Sequence, residues 1–212
     1  TNARKKAVWF HGENLWWLFR TRDFIPEYDK IYCVSEPVRK QVIARFPELA
    51  DRTEVLLNFI DIKQVQRRSE EPLSDPQYTG ELKFLTVGRA SEEKGYDIAV
   101  QITAELKKRG LCFKWFIIGD GRDLNKLRTM AKEYQVEQEI IFLGMRENPA
   151  PYVKSCDLYL QPSRHEGYPI TIVEARSLQK VIIASDIPSM REQIRDGENG
   201  YLCPLDVMQF AD

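Results

Sequence analysis

Histidine is scarce in this sequence. Its 212 residues hold only His11 and His165. That excludes a site built on three imidazoles and leaves zinc dependent on cysteine or carboxylate help that no spacing supplies, so no metal site is expected. Cysteine is sparse too. Cys33, Cys112, Cys156 and Cys203 lie far apart with no CxxC pair, and a reduced cytosolic protein is the simplest reading. Cys33, Cys112 and Cys203 sit in or beside apolar runs, where a thiol behaves as a small hydrophobe. An excess of one charge is also lacking: 31 Lys and Arg stand against 32 Asp and Glu, for a net charge of −1. A general nucleic-acid binder needs a basic excess to displace counterions, so no nucleic-acid partner is expected. A local cationic pocket for one phosphorylated ligand stays open. No apolar run approaches the about 20 residues that span a bilayer, and the mean hydropathy is −0.44. Arg4-Lys5-Lys6 before Ala7-Val8-Trp9-Phe10 resembles the start of a signal peptide, but the run stops at His11-Gly12-Glu13-Asn14, too short for an apolar core. A starting methionine is missing, which suggests a segment of a longer chain.

What is present is a rhythm. Short β-rich runs occur at Ala7–Phe10, 31–34, 54–57, 82–87, Lys114–Ile118, 139–143, 157–160, 181–184 and Tyr201–Cys203. Several are continuous rather than alternating, such as Trp115-Phe116-Ile117-Ile118, which indicates strands buried on both faces in a parallel sheet. Helix signals lie between them. Ser35 can cap a helix with Pro37 in its first turn. Ile98, Ile102 and Leu106 form one apolar stripe ending at Gly110. Leu124, Leu127, Ala131 and Tyr134 form another. The pattern predicts an α/β fold with a doubly wound parallel sheet. The stretch 61–80, with Pro72, Pro76, Arg67-Arg68 and little apolar content, reads as a linker or surface loop and marks a domain boundary. Residues 1–60 hold about three strands, too few for an independent domain, and 81–212 form the main domain.

In an open parallel sheet, ligands bind at the carboxyl ends of the strands, so the loops there carry the candidates. After 82–87 comes Gly88-Arg89-Ala90-Ser91-Glu92-Glu93-Lys94-Gly95, in which Arg89 and Lys94 beside a helix start suit an anion. From charge alone, two solvated surface cations explain the pair better. The Walker pattern GxxxxGK[ST] is absent. Gly119-Asp120-Gly121 lacks the third glycine of the dinucleotide fingerprint, and a plain turn explains it equally well. The strongest stretch is His165-Glu166-Gly167-Tyr168-Pro169-Ile170-Thr171-Ile172-Val173-Glu174. Pro169 suits a first helical turn, placing Glu166 in the loop before a helix and Glu174 inside it. Glu174 sits among apolar neighbours, and buried carboxylates usually have partners. His11 ends a strand before Gly12 and can face a cleft, although a lone histidine is more often structural.

Taken together, Val87-Gly88-Arg89…Glu93-Lys94-Gly95, Ile118-Gly119-Asp120-Gly121, Phe142-Leu143-Gly144 and the E-x7-E pair Glu166/Glu174 resemble the retaining glycosyltransferases of family 4, over roughly residues 7–206. Val34-Ser35-Glu36 and Asn58-Phe59-Ile60-Asp61 resemble that family's signposts before the donor domain, with Phe59 where a glycine is frequent. The resemblance implies the C-terminal, Rossmann-like half of a GT-B fold, which binds a nucleotide-diphosphate sugar. Residues 1–60 would then be the tail of the acceptor-binding domain, and the family's final helices would lie beyond Asp212. It implies hexose transfer to an acceptor hydroxyl with retention, in polysaccharide or glycolipid synthesis, on a carbohydrate or lipid-linked acceptor. It further implies a cytoplasmic protein, peripheral at the membrane face, with no cofactor and no essential metal. Carried over residue by residue, Gly88, Arg89 and Lys94 contact the diphosphate, and Glu166 approaches the sugar. Gly167, Tyr168, Ile170 and Thr171 offer backbone groups, and Glu174 accepts from the ribose. Gly119, Gly144 and Met145 flank the base, and His11 is a cleft histidine near the reacting centre. The segment itself is expected to bind donor without turnover. Trp16-Trp17-Leu18-Phe19 beside Arg20 and Arg22 suits lipid or a partner, but more readily a core. Two other readings of the residues remain: a glycoside hydrolase using the paired carboxylates, and a non-catalytic nucleotide-binding or interaction module.

Overall fold

The computed structural model describes residues 5–12 and 24–212. The Trp16–Phe19 aromatics, with Arg20 and Arg22, lie outside the described residues. Strands β1 (Ala7–Phe10), β2 (Lys30–Cys33) and β3 (Thr53–Val55) pair in parallel in that order. Helix α1 (Glu36–Arg45) follows β2. Its cap is Ser35, whose hydroxyl accepts the Val38 N–H at 3.4 Å. Phe10, Ile31, Cys33, Val38 and Val42 build this small layer's core.

A second sheet holds β4 (Lys83–Val87), β5 (Lys114–Ile118), β6 (Ile140–Gly144), β7 (Leu158–Gln161), β8 (Val181–Ser185) and β9 (Tyr201–Cys203), all parallel, in the order β6-β5-β4-β7-β8-β9. The chain runs outward one way from β4, then returns to start the other wing at β7. The order therefore reverses between β4 and β7, and a crevice opens at that point.

The continuous apolar runs have a simple cause. In β5, Trp115 and Ile117 face one core, with helices α3 (Tyr96–Lys108), α4 (Leu124–Glu133) and Phe210 of α8 (Val207–Ala211). Phe116 and Ile118 face the other, with α5 (Ala150–Ser155), α6 (Ile170–Ser177) and Met190 of α7 (Pro188–Arg191). The sheet is buried on both faces, as a doubly wound parallel sheet must be. Its interior polar groups are paired: Trp115 Nε1 donates to Thr86 Oγ1 at 2.9 Å, which donates to the Leu160 carbonyl at 2.6 Å.

Three sequence expectations need correction. The stretch 61–80 is not all loop, because Ile62–Ser69 forms helix α2. Its faces are mostly polar, so low apolar content concealed it. It is fixed instead by an Asp61 cap, which accepts the Gln64 N–H at 3.0 Å, and by bonds such as Arg68 Nη2 to the Glu147 carbonyl at 2.9 Å. Tyr134 does not join the apolar stripe of α4; it caps the helix and stays exposed. Cys112 is exposed, whereas Cys156 is buried. No helix among the described residues is long and apolar enough to cross a membrane.

Candidate functional site

The crevice between β4 and β7 is framed by two loops, Gly88–Gly95 and Pro162–Pro169. Backbone and side chain join them. The Glu93 carbonyl accepts the Arg164 N–H at 2.8 Å and the His165 N–H at 3.3 Å. The Arg164 guanidinium grips the Asp97 carboxylate with bonds of 2.7 and 2.6 Å and reaches the Glu92 carbonyl at 2.9 Å. Gly95 has φ +66°, and a Cβ there would stand 1.9 Å from the Pro162 carbonyl oxygen. Only glycine meets both demands.

This clasp brings Lys94 to Glu166. Lys94 Nζ donates to both carboxylate oxygens, at 2.7 and 2.9 Å. Glu166 Oε1 also accepts Gln161 Nε2 at 3.0 Å and Ser163 Oγ at 2.7 Å. Gln161 and Ser163 are fully buried, and Glu166 is 8% exposed. A buried carboxylate with a cation and two neutral donors is a paired charge. Sequence reading missed Gln161 and Asp97 altogether. Ser163 and Arg164 stand immediately before the stretch 165–174 and received no role from the sequence.

Beyond the pair lies a cleft of about 220 Å³, lined by Gly12, Arg89, Ser91, Lys94, Glu166 and Gly167 among others. The first sheet forms one wall. A Cβ on Gly167 would fall 2.2 Å from the His11 carbonyl oxygen, so this glycine lets the two layers touch. The cleft thus gathers Arg89, Lys94, Glu166 and Gly167. The His11 backbone touches Gly167, but its ring is exposed and leans on Trp9 at a 4.7 Å centroid distance. The Tyr168 side chain packs into the first sheet's core rather than the cleft. Gly88, Gly119 and Gly144 align along the strand ends: the Gly88 N–H reaches the Ile118 carbonyl and the Gly119 N–H the Gly144 carbonyl, both at 2.9 Å. Ile170 and Thr171 open α6, and Met145 is exposed beyond Gly144.

Glu174 stands apart. It lines a separate cavity of about 270 Å³ with Phe59, Asp61, Arg68 and Asn148. Burial pushes its carboxyl above the usual carboxylate range, with Arg68 opposing. Glu166 and Glu174 line different cavities, whereas a glycoside hydrolase needs both carboxyls around one scissile linkage. Among the described residues, no group of three His, Cys, Asp or Glu side chains converges as metal ligands would.

Residues 68–212 match the family model described as glycosyl transferases group 1. The chain belongs to this family. An uncharacterized glycosyltransferase of Methanocaldococcus jannaschii is 29% identical over 183 residues, 84% of this chain and 43% of that protein. An N-acetylgalactosamine-N,N'-diacetylbacillosaminyl-diphospho-undecaprenol 4-alpha-N-acetylgalactosaminyltransferase of Campylobacter jejuni is 26% identical, covering 85% of this chain and 48% of the relative. The chain thus spans about half the length of the curated relatives it matches. Among solved structures, Anabaena HepE in complex with UDP and glucose superposes with a TM-score of 0.81 at 19% identity, over 98% of this chain and 60% of that one. The likeness shows the fold: this group 1 glycosyl transferase chain has the doubly wound, Rossmann-like half of a GT-B architecture.

Proposed function

We propose that this group 1 glycosyl transferase binds a nucleotide-diphosphate sugar across the β4/β7 crevice and passes its hexose to an acceptor hydroxyl with retention of configuration. The observation that carries this reading is the juxtaposition of Arg89, Lys94 and Glu166 at the topological switch point. When the bond between the anomeric carbon and the diphosphate breaks, negative charge grows on the departing phosphate oxygen. Cations held in place beforehand stabilise that charge more in the transition state than in the ground state. Arg89 and Lys94 supply them, assisted by the opening N–H groups of α6 from Ile170 and Thr171. In this reading they serve where a metal would.

Lys94 has a second task. Its ammonium is shared with both Glu166 oxygens, so a diphosphate would take part of a cation already ordered by its partner. Little reorganisation remains for the reaction itself. Glu166, fixed by Gln161 and Ser163, meets the sugar. Glu174 accepts from the ribose, and the Gly119 and Gly144–Arg146 turns flank the base. His11, whose backbone borders the cleft, faces the reacting sugar once its ring turns from Trp9. UDP is the first candidate nucleotide, since HepE was solved with it. A lipid-linked acceptor is the first candidate acceptor, given the diphospho-undecaprenol in the Campylobacter relative's name.

The test is calorimetric titration of this chain with UDP-, GDP- and ADP-sugars, followed by nuclear magnetic resonance of the anomeric centre in the product made by a full-length protein that also carries the acceptor-binding half. Binding of one donor class by the chain and, from the full-length protein, a linkage of the donor's own configuration support the reading. Binding by the chain without transfer by the full-length protein would leave a nucleotide-binding module. An inverted linkage would remove retention.

A further inference from the structure

The stretch 68–78 reads as a spacer in the sequence, yet it is fastened to the segment after β6 at many points. Asn148 Nδ2 donates to the Arg68 carbonyl at 2.9 Å and to Glu71 Oε2 at 2.7 Å. Tyr78 Oη donates to the Tyr152 carbonyl at 3.0 Å, and its ring packs on Phe116 and Tyr152. The centre of this seam is Asp75. Its Oδ2 accepts Arg146 Nε at 3.0 Å, Arg146 Nη2 at 2.8 Å and Tyr152 Oη at 2.8 Å. Its Oδ1 accepts the Gln77 N–H at 3.0 Å. The Asp75 side chain is only 10% exposed.

Held this way, Arg146 turns its remaining nitrogen back onto its own turn. Nη1 donates to the Leu143 carbonyl at 2.5 Å and the Met145 carbonyl at 3.1 Å. One guanidinium therefore fixes the course of residues 143–146, and Asp75 with Tyr152 fixes the guanidinium. The turn stands at the carboxyl end of β6, where ligands gather in such sheets. Gly144 has φ +74° and no atom within 4 Å of where a Cβ would be, so space beside it is open. Among the described residues, no backbone carbonyl accepts the N–H of Met145 or Arg146. A turn with uncommitted backbone donors, open space beside Gly144 and a rigid backing is suited to read the edge of a flat ring through backbone groups.

We propose that Asp75 is a positioning residue for nucleobase recognition: by clamping Arg146 it sets the Gly144–Arg146 turn on which base preference depends. This rests on the donor-binding reading above. Burial alone would raise the Asp75 carboxyl, and the bonds from Arg146, Gln77 and Tyr152 more than offset it, so the group lies below its usual range and stays charged at neutral pH. Asp75 touches no ligand in this account. It acts through Arg146.

The test is calorimetric titration of the chain with UDP, GDP, ADP and inorganic pyrophosphate, comparing the wild type with Asp75→Asn and Tyr152→Phe. Pyrophosphate engages only the Arg89/Lys94 end and reports general damage. Asp75→Asn should weaken the preferred nucleoside diphosphate at least about tenfold and narrow its preference over the other two bases. Tyr152→Phe should weaken it about threefold, and pyrophosphate affinity should stay within about twofold in both. Unchanged nucleoside diphosphate affinity, or an equal loss for pyrophosphate, overturns the proposal. If Asp75→Asn does not fold, Tyr152→Phe decides by the same criteria. If the wild type binds pyrophosphate but none of the three nucleoside diphosphates, the functional reading falls and this proposal with it.

Discussion

Glu166 and Glu174 belong to one E-x7-E pair, yet their carboxylates live under opposite conditions. Glu166 is almost fully buried, and every donor near it is committed: Lys94, Gln161 and Ser163. Glu174 is half-buried and, among the described residues, receives no side-chain hydrogen bond; burial raises its carboxyl, and only Arg68 acts against that rise. The first is a completed ion pair. The second turns its acceptor capacity to a cavity lined also by Arg68 and Asn148. Two identical side chains on one loop-helix unit therefore sit in different surroundings, and the proposed function gives them different tasks: one holds a cation in place, the other receives the ribose donors.

The largest expected effect tests the Glu166 end as a whole. Arg89→Ala with Lys94→Ala should abolish pyrophosphate and nucleoside diphosphate binding. Each charge-assisted hydrogen bond contributes about 1.5–3 kcal/mol, so the double change costs more than about 100-fold in affinity. Calorimetry checks this. Unaltered affinity would remove the loop after β4 from the site and dissolve the comparison.

Glu166→Gln sharpens it next. Breaking a buried pair by removing one partner typically costs about 3–5 kcal/mol. Lys94 keeps a path to solvent here, with 20% of its side chain exposed, so a loss of about 1–3 kcal/mol in unfolding free energy is expected. Denaturant titration measures it. Pyrophosphate affinity should not fall, because the freed Lys94 turns to the phosphates. In a full-length protein that carries the acceptor-binding half, the same change should lower sugar transfer.

The clasp that joins the two loops comes third. Arg164→Ala should lower stability by about 1 kcal/mol, since the pair is partly exposed. For Asp97, burial pushes the carboxyl up, but the Arg164 hydrogen bonds and charge outweigh it, so its folded value lies below the unfolded one. The clasp's contribution is then fully present above the ordinary carboxylate pKa of about 4 and is lost as pH falls through the lower folded value. Wild type and Arg164→Ala should thus converge in stability in acid, as thermal melts across pH will report.

Much of this was legible in the sequence. The continuous runs at 114–118 and 181–184 revealed strands because a doubly covered sheet leaves no polar face to alternate. Ser35 announced its helix by its cap. The β4 and β7 loops stood out through their glycines and charges. Other features carried no local signal. Asp97 and Arg164 are far apart in sequence and meet only because the sheet order reverses between β4 and β7. Asp75 sits in a stretch whose composition resembles a spacer. Helix α2 was hidden because side-chain bonds to neighbouring backbone, not an apolar face, hold it. The Gln161–Ser163–Glu166 network needed the backbone course after β7 before its members could be seen to converge.

The smallest effect on the fold belongs to Glu174, and it is the sharpest discriminator. Its raised pKa means that the folded state favours the protonated form. The stabilising contribution is complete below the unfolded pKa and is lost as pH rises through the folded one. At neutral pH, Glu174→Gln should therefore leave the melting temperature unchanged or slightly raised, opposite to Glu166→Gln. The measurement that tests the account most directly is calorimetry of UDP and pyrophosphate on these two variants side by side. Glu174→Gln should lose UDP affinity by about tenfold while keeping pyrophosphate, since a carboxylate bonded to ribose hydroxyls is replaced by a weaker acceptor, and Glu166→Gln should keep both. If Glu166→Gln loses UDP while Glu174→Gln binds it as the wild type does, the division of labour between the two glutamates is contradicted.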